Sequence, residues 1–397
     1  MLPAERRASA ALAGVFALRM LGLFLVLPVF ALEAARLPGG DDPARVGLAL
    51  GIYGLVQAAL QIPLGWASDR FGRKRVILAG LALFAFGSVL AAWAPTLTWL
   101  TVARAVQGAG AISAAVTALL ADLTRDAVRT KAMAVVGASI GLSFALSLVI
   151  APPLAAWVGL PGLFLLTAAL TLLGMAAVAW VVPAEPPRPA SGATEGATPL
   201  RAVLTDGALL RLDVGVFALH TLQMAVWVAV PGLLVAAGLP KGQHWQVYLA
   251  ALAVSFALMG GVLFRLERRG HLGAVLRAAI GLLLLAQGLL AWAQAHGAGL
   301  GLLALALMVF FTGFNTLEAS QPSLVSRLAP PAARGAALGV YNTLQSLGLF
   351  AGGALGGWLL RQGGATAVFV AGTALAALWL LVAWRQPLPA RAPAAAA

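Results

Sequence analysis

Apolar residues arrive in this chain as long, nearly unbroken runs separated by short polar and basic breaks. The runs fall at about 8–34, 46–67, 76–95, 98–120, 132–158, 160–182, 211–236, 245–265, 273–294, 298–320, 335–360 and 364–385. An α-helix needs about 20 predominantly apolar residues to cross a bilayer, and these runs supply that length. They do not alternate polar and apolar as barrel strands do, and only helices or closed barrels satisfy their backbones in lipid. The pattern predicts an all-α membrane protein of twelve transmembrane helices.

The longest non-apolar stretch, 183–210, is rich in Pro, Ala, Gly, Ser and Thr and reads as a flexible linker. It divides the chain into halves 1–182 and 211–397. Arg129-Thr-Lys-Ala-Met-Ala resembles Arg334-Gly-Ala-Ala-Leu-Gly, Pro28 corresponds to Pro231, and Gly65 to Gly261. The shared offset near 200 predicts two pseudo-symmetric six-helix halves.

Composition agrees. Of 397 residues, 61% are hydrophobic and 10% charged, against roughly 25% charged in a soluble domain. The net charge of +13 does not mark a nucleic-acid binder, because its distribution follows the membrane. With the N-terminus in the cytosol, twenty basic residues fall on that side: Arg6, Arg7, Arg70, Arg73, Lys74, Arg75, Arg125, Arg129, Lys131, Arg188, Arg201, Arg211, Arg265, Arg268, Arg269, Arg277, Arg327, Arg334, Arg385 and Arg391. Arg36, Arg45, Lys241 and Arg361 face the other side, and Arg19 and Arg104 lie within spans. The asymmetry puts both termini in the cytoplasm. The first run is too long for a secretion signal and contains Arg19, so it is expected to be an uncleaved span.

Candidate chemistry is sparse. Cysteine is absent, which excludes disulfides and thiolate sites. The four histidines share no metal-ligand spacing, and no phosphate loop, nucleophile elbow or HExxH motif occurs. An ATP-driven pump, a metal centre and a cofactor are not expected. A membrane enzyme would need acids, bases or metal ligands converging at one level, and none do. A sensor would carry a sizeable soluble domain.

One loop carries more information than charge. Gly65-Trp66-Ala67-Ser68-Asp69-Arg70-Phe71-Gly72-Arg73-Lys74-Arg75 has the pattern G-x-x-x-D-R-x-G-R-K. The positive-inside rule demands basic residues there, but neither the two glycines nor the aspartate. Gly65 permits close helix approach, and Asp69 is placed to accept from amides at a helix N-terminus. Arg104-Ala-Val-Gln107-Gly108 lies in span four, with Arg104 and Gln107 on one face. A buried arginine is costly and faces a cavity or a partner.

These motifs resemble those of the major facilitator superfamily. Gly51-Ile-Tyr-Gly-Leu-Val-Gln57, Gln61-Ile-Pro63, Asp122-Leu-Thr-Arg125, His244-Trp-x-Val-Tyr-Leu-Ala250, Phe314-Asn315-x-x-Glu318 and Gly339-Val-Tyr are similar to YajR-type inner-membrane transporters across almost all of 10–385. Members of that type can carry a soluble domain after span twelve; this sequence ends in an Ala/Pro tail at Ala397. Span five, with Gly137-x-x-x-Gly141 and Ala151-Pro152-Pro153, departs from the family's antiporter motif, which has glycine before proline.

The resemblance implies a conformational latch of Gly65, Asp69, Arg70, Gly72 and Arg73, with Arg73 paired to Asp122 and Asp69 facing the start of span eleven. It also implies a bacterial inner-membrane location and a cavity lined by spans one, four, seven and ten. Their polar residues are Arg19; Arg104 and Gln107; His220, Gln223 and Trp227 on one face by i, i+3, i+7 spacing; and Asn315 and Glu318. His220 reads equally as an interior hydrogen-bonded histidine. Glu318 is the stronger functional candidate, since an intramembrane carboxylate is rare, and it lies at a depth where it could pair with Arg19. Glu33, Asp41 and Asp42 are expected to be solvated. The expected activity is secondary transport by alternating access: proton-coupled efflux of small amphiphilic compounds by a monomer in the lipid bilayer. The alternative is an uptake carrier or uniporter for a sugar or organic acid.

Overall fold

The computed structural model describes every residue except 186–199, 264, 267–268, 298, 331–332 and 387–397. Most of the expected linker and tail, and Arg188, Arg268 and Arg391, therefore lie outside the described residues. The described chain is helical apart from turns and short connections.

The long helices are α1 (Pro3–Ala34), α2 (Pro43–Phe71), α3 (Arg73–Ala92) and α4 (Leu97–Asp122). Two 51-residue helices, Asp126–Ala176 and Arg334–Trp384, each fold back at non-helical glycines: Gly159, and Gly363 with Gly364. They supply α5 (126–158) and α6 (from 160, continued by a π-turn at Ala177–Val181), then α11 (334–362) and α12 (365–384). Between them run α7 (Gly207–Ala236), α8 (His244–Leu258 with a π-turn at Met259–Leu263), α9 (Leu272–Ala295) and α10 (Leu300–Leu328). By length and hydropathy, nine helices among the described residues qualify as spans. Dividing the two folded-back helices and adding α8 gives the twelve read from the sequence.

Local chemistry explains the boundaries. Pro3 and Pro43 occupy first-turn positions, where a missing N–H costs nothing. Asp42, Thr96 and Asp206 cap α2, α4 and α7 through side-chain oxygens. Gly72 turns the chain between α2 and α3 at φ 105°, a conformation that L side chains avoid. Helix α4 is interrupted at 109–112, where a Cβ on Gly110 would meet the Gly80 carbonyl at 2.5 Å.

The two sets of six helices are built alike. In the first, α5 lies on α1 through Ser139 and Ser143 hydroxyls donated to the carbonyls of Ala13 and Ala17. In the second, α7 lies on α11, where Thr221 donates to the Gly348 carbonyl and Gly348 and Gly352 leave no room for side chains. Small residues and hydroxyl-to-carbonyl bonds are how helices associate when lipid removes the hydrophobic drive between them. The perimeter is apolar, with Trp157 90% and Leu381 70% exposed, as expected of a lipid-facing surface. Trp66, Trp93, Trp99 and Trp180 are also exposed near helix ends.

The sets meet along a glycine seam. Gly47, Gly51 and Gly54 on α2 share one stripe with i, i+4, i+7 spacing, facing Ser346, Phe350, Gly353 and Gly357 on α11. A Cβ at Gly51 would lie 2.7 Å from the Phe350 carbonyl, and one at Gly353 2.7 Å from the Gly47 carbonyl. Farther along the same α11 stripe, toward the face bearing the chain termini, Gly339 and Gly335 have nothing within 4 Å of an added Cβ. The seam is closed on the far face and open on the terminal face.

Candidate functional site

The wall contributed by the first set is organised around two buried cations. Arg19 on α1 is 0% exposed. Its Nη2 donates to the Tyr53 hydroxyl (2.8 Å), Gln57 Oε1 (3.2 Å) and the Gly110 carbonyl (3.2 Å). The guanidinium lies over the Phe84 ring at 5.1 Å, while its Nε and Nη1 have no hydrogen-bond partner. Arg104 on α4 donates through Nη1 to Gln107 Oε1 (2.7 Å), and Gln107 Nε2 donates to Ser88 Oγ (2.7 Å). Arg104 stacks on Tyr53 at 5.1 Å and on Phe30 at 5.8 Å. Ring faces and neutral oxygens stabilise both charges. Among the described residues, no carboxylate pairs with either. The expected Arg19–Glu318 pairing is not formed, because α2 and the α4 interruption take Arg19 into its own set.

Glu318 on α10 lies instead with His220 on α7. His220 Nδ1 is 3.0 Å from the Val216 carbonyl and so carries the proton of that bond. Its Nε2 is 2.8 Å from Gln345 Nε2 and 3.5 Å from Glu318 Oε2. The Nε2 to Oε2 approach is attractive only when a proton sits on one of the two groups. Gln345 Nε2 also reaches Glu318 Oε1 at 3.4 Å. The Glu318 side chain remains 37% exposed. Asn315 turns away, donating to Ser255 Oγ on α8 (2.9 Å). Gln223 is buried in α7.

Beside this contact a cluster of buried aromatic rings packs between the two sets. Phe144 of α5 contacts Phe24 (5.2 Å), Trp227 (6.5 Å), Phe311 (6.3 Å) and Phe314 (5.8 Å). Phe314 also lies 6.0 Å from the His220 ring. Trp227 is fully buried against Tyr248 and Phe311. The first set thus holds Arg19 and Gln57, the second holds His220 and Glu318, and the aromatic cluster packs between the sets.

The 65–75 loop folds around Arg73, which reaches Asp69 Oδ1 (2.5 Å), Asp122 Oδ2 (3.3 Å) and Ser68 Oγ (2.7 Å). The amides opening α3, on Arg73 and Lys74, are taken by Glu185 at 3.0 and 2.6 Å, an anion at the positive end of the helix. Arg70 stacks outward over Trp66 and Phe71. A Cβ at Gly65 would touch Ala114 at 3.4 Å. On the same face, Arg125 grips Glu5 (2.7 Å) and its hydrogen bond holds that carboxyl well below the usual range. On the far face, Glu33 is not solvated: its side chain is 8% exposed and pairs with Lys241 of the second set. Asp42 likewise meets Arg361 at 3.1 Å.

Sequence reasoning missed Gln345 and Ser346, which sit in an apolar, glycine-rich run of α11. Tyr53 and Gln57 were visible only as part of a resemblance. Asp213, buried in α7 with Oδ2 unpartnered, lay unremarked near the edge of an apolar run. No three His, Cys, Asp or Glu residues among those described are placed to hold a metal.

The profile of the Major Facilitator Superfamily matches residues 12–353. The chain is 44% identical over 386 residues to the inner membrane transport protein YajR of Escherichia coli (strain K12), covering 96% of this chain and 84% of that protein. It is 30% identical to the multidrug resistance protein MdtH of Proteus mirabilis (strain HI4320), covering 87% and 84% respectively. Among solved structures, a D-xylose-proton symporter superposes with a TM-score of 0.75 at 17% identity, covering 96% of this chain and 98% of that one.

Proposed function

This chain belongs to the Major Facilitator Superfamily, and from that premise we propose that it exports small amphiphilic compounds in exchange for protons. The observation that carries the reading is the His220–Glu318 contact, an imidazole and a carboxyl from two helices of the second set, with the glutamate side chain partly exposed. A carboxyl group inside a spanning helix bundle can serve as a coupling site when the path to it switches between membrane faces. The partly exposed Glu318 beside this aromatic cluster suits a compound with a polar end and an apolar body. The multidrug name of the MdtH relative favours efflux over nutrient uptake.

In this reading the units are 1–182, a linker at 183–210, and 211–397, rocking about the central site as a monomer without a cofactor. The terminal face is cytoplasmic by its arginines and lysines. The conformer is then open inward, sealed outward by the Gly47–Gly357 seam and the Glu33–Lys241 pair. Arg73, Asp69 and Asp122 form the N-terminal part of a latch that α11 would meet on inward closure. Arg19, Arg104, Gln107, Gln223 and Asn315 hold the walls in shape.

The test is reconstitution into vesicles with an internal pH dye and a panel of lipophilic substrates. Alkalinisation of the lumen as substrate enters supports exchange. Substrate flux with no pH change points to a uniporter, and flux only together with co-directional protons to an uptake symporter.

A further inference from the structure

Away from the central space, the terminal ends of α7, α9 and α12 form a basic recess on the lipid-facing perimeter. A cavity of about 530 Å³ is lined there by Arg211, Leu381, Val382, Trp384 and Arg385. Arg277 of α9 reaches the lining residue Trp384, with its guanidinium 5.3 Å over that ring. The Gln386 side chain, donating to the Ala208 carbonyl at 3.1 Å, ties the end of α12 to the start of α7 and fixes the recess between them. Arg211 is anchored at its own end by donating to the Gly207 carbonyl (3.0 Å).

Charge and polarity are arranged in layers. Three guanidiniums gather at the level of the helix ends, and none of them has a carboxylate partner among the described residues. Asp206 is committed to the amides of Ala208 and Leu209, and Asp213 is buried in the bundle. Trp384 is 67% exposed, as an aromatic at a membrane interface is. Next to it, Leu381 (70% exposed) and Val382 present apolar surface one turn deeper. Cations at headgroup depth above bare aliphatic side chains match a phosphodiester with acyl chains below it. Basic pockets between spanning helices are the sites where anionic headgroups are held, and arginine is suited to phosphate by its fork of donors. A free phosphate would use the cations but gain nothing from Leu381 and Val382.

We propose that this recess is a binding site for the headgroup of an anionic phospholipid, held by Arg211, Arg277 and Arg385.

Purified protein titrated with cardiolipin or phosphatidylglycerol and analysed by native mass spectrometry tests it, with phosphatidylcholine of matched chains as control. The wild type should retain the anionic lipids. The R211Q/R277Q/R385Q variant should bind them at least roughly tenfold more weakly, given the attraction that each arginine contributes near an anionic headgroup. Millimolar inorganic phosphate should not displace them. A second readout needs no loss of charge: Leu381→Cys in this cysteine-free chain, labelled with a fluorophore, should be quenched by an anionic lipid bearing a quencher and not by its zwitterionic counterpart. Equal retention by wild type and variant, equal quenching by both lipid classes, or displacement by inorganic phosphate would each overturn the assignment.

Discussion

Gln57 on α2 donates from Nε2 to Ser346 Oγ on α11 across 2.9 Å, and this bond passes from one set of six helices to the other. The Oε1 of the same amide accepts from Arg19 and from Tyr53. One side chain therefore holds both a buried cation and the contact between halves. Withdrawal of α11 would leave the Gln57 amide to rearrange, and with it the partners of Arg19.

Gln57→Ala should accordingly cost more than Ser346→Ala. The first strips Arg19 of an acceptor and Ser346 of a donor; the second removes one hydroxyl. Interhelical hydrogen bonds in membranes contribute about 0.6 kcal/mol on average and up to about 1.7 kcal/mol, so Ser346→Ala should fall near the low figure and Gln57→Ala above it. Thermal denaturation of both single variants and the double variant gives the coupling. Strict additivity would mean that the bond does not join the halves energetically.

The glycine seam predicts a conformational bias. A leucine at Gly47 would collide with the backbone of Gly353 and Gly357, and two packed helices cannot absorb such an overlap without separating. Gly47→Leu should shift the population away from the far-face-closed state by at least about tenfold, which needs only about 1.4 kcal/mol. Spin labels on cysteines introduced at Ile62 of α2 and Gly339 of α11, toward the terminal-face ends of the two helices, should then approach one another. An unchanged distance distribution would mean that the seam does not set the state.

How far the sequence carried this picture depends on which interactions act along one helix. The spans were legible because apolar length alone demands them, and Glu318 with His220 stood out as polar groups inside such spans. The partner of Arg19 was not legible, since periodicity gives the face of α1 but not the helix opposite it. Glu33 was misjudged for a similar reason. It ends an apolar run and looks solvated, and only the approach of Lys241, 208 residues later, buries it. The breaks at Gly159 and Gly364 fall at left-handed glycines, whereas the interruption of α4 coincides with the close approach of Gly110 to Gly80 on another helix, which the pattern of α4 does not give.

Glu318→Gln removes the ionisable oxygen while keeping the amide within reach of Gln345 and His220. Uphill, proton-driven export should fall at least about tenfold, because the site can no longer exchange a proton. Exchange of labelled for unlabelled substrate at equal concentrations, which needs no net proton movement, should persist. Proton-driven accumulation by the variant at the wild-type rate would remove Glu318 from the coupling step.

Arg104 is a structural cation in this geometry, clamped by Gln107 and stacked on two rings. Arg104→Lys should destabilise the protein nearly as much as Arg104→Met. A compact ammonium cannot stack flat on Tyr53 while reaching Gln107, and both changes leave Gln107 Oε1 short of a donor inside the bundle. A loss on the order of 1–3 kcal/mol is expected for an unsatisfied buried polar group, read as a lowered melting temperature in detergent. Full stability in the lysine variant would show that charge alone suffices there.

The pair Glu33–Lys241 closes the far face between α1 and the segment entering α8, and its partners differ in exposure: 8% for the glutamate side chain and 26% for the lysine. Removing the buried partner of an ion pair strands the other charge, at up to about 3–5 kcal/mol when both are buried; with Lys241 partly wetted, about 1–2 kcal/mol is the reasonable expectation. Glu33→Lys places two cations together and Lys241→Glu two anions, so each single reversal should loosen the far face. Arg36, 3.6 Å from Glu33, makes the glutamate-to-lysine change the worse of the two. The double reversal E33K/K241E restores opposite charges and should recover most of the loss. A cysteine at Leu239, buried at 7% exposure beside this contact, reports the result through its rate of modification by a membrane-impermeant maleimide. That rate should rise in both single reversals and return toward the parent value in the double reversal. If it stays high in the double reversal, the charges do not hold this face and the glycine seam closes it alone.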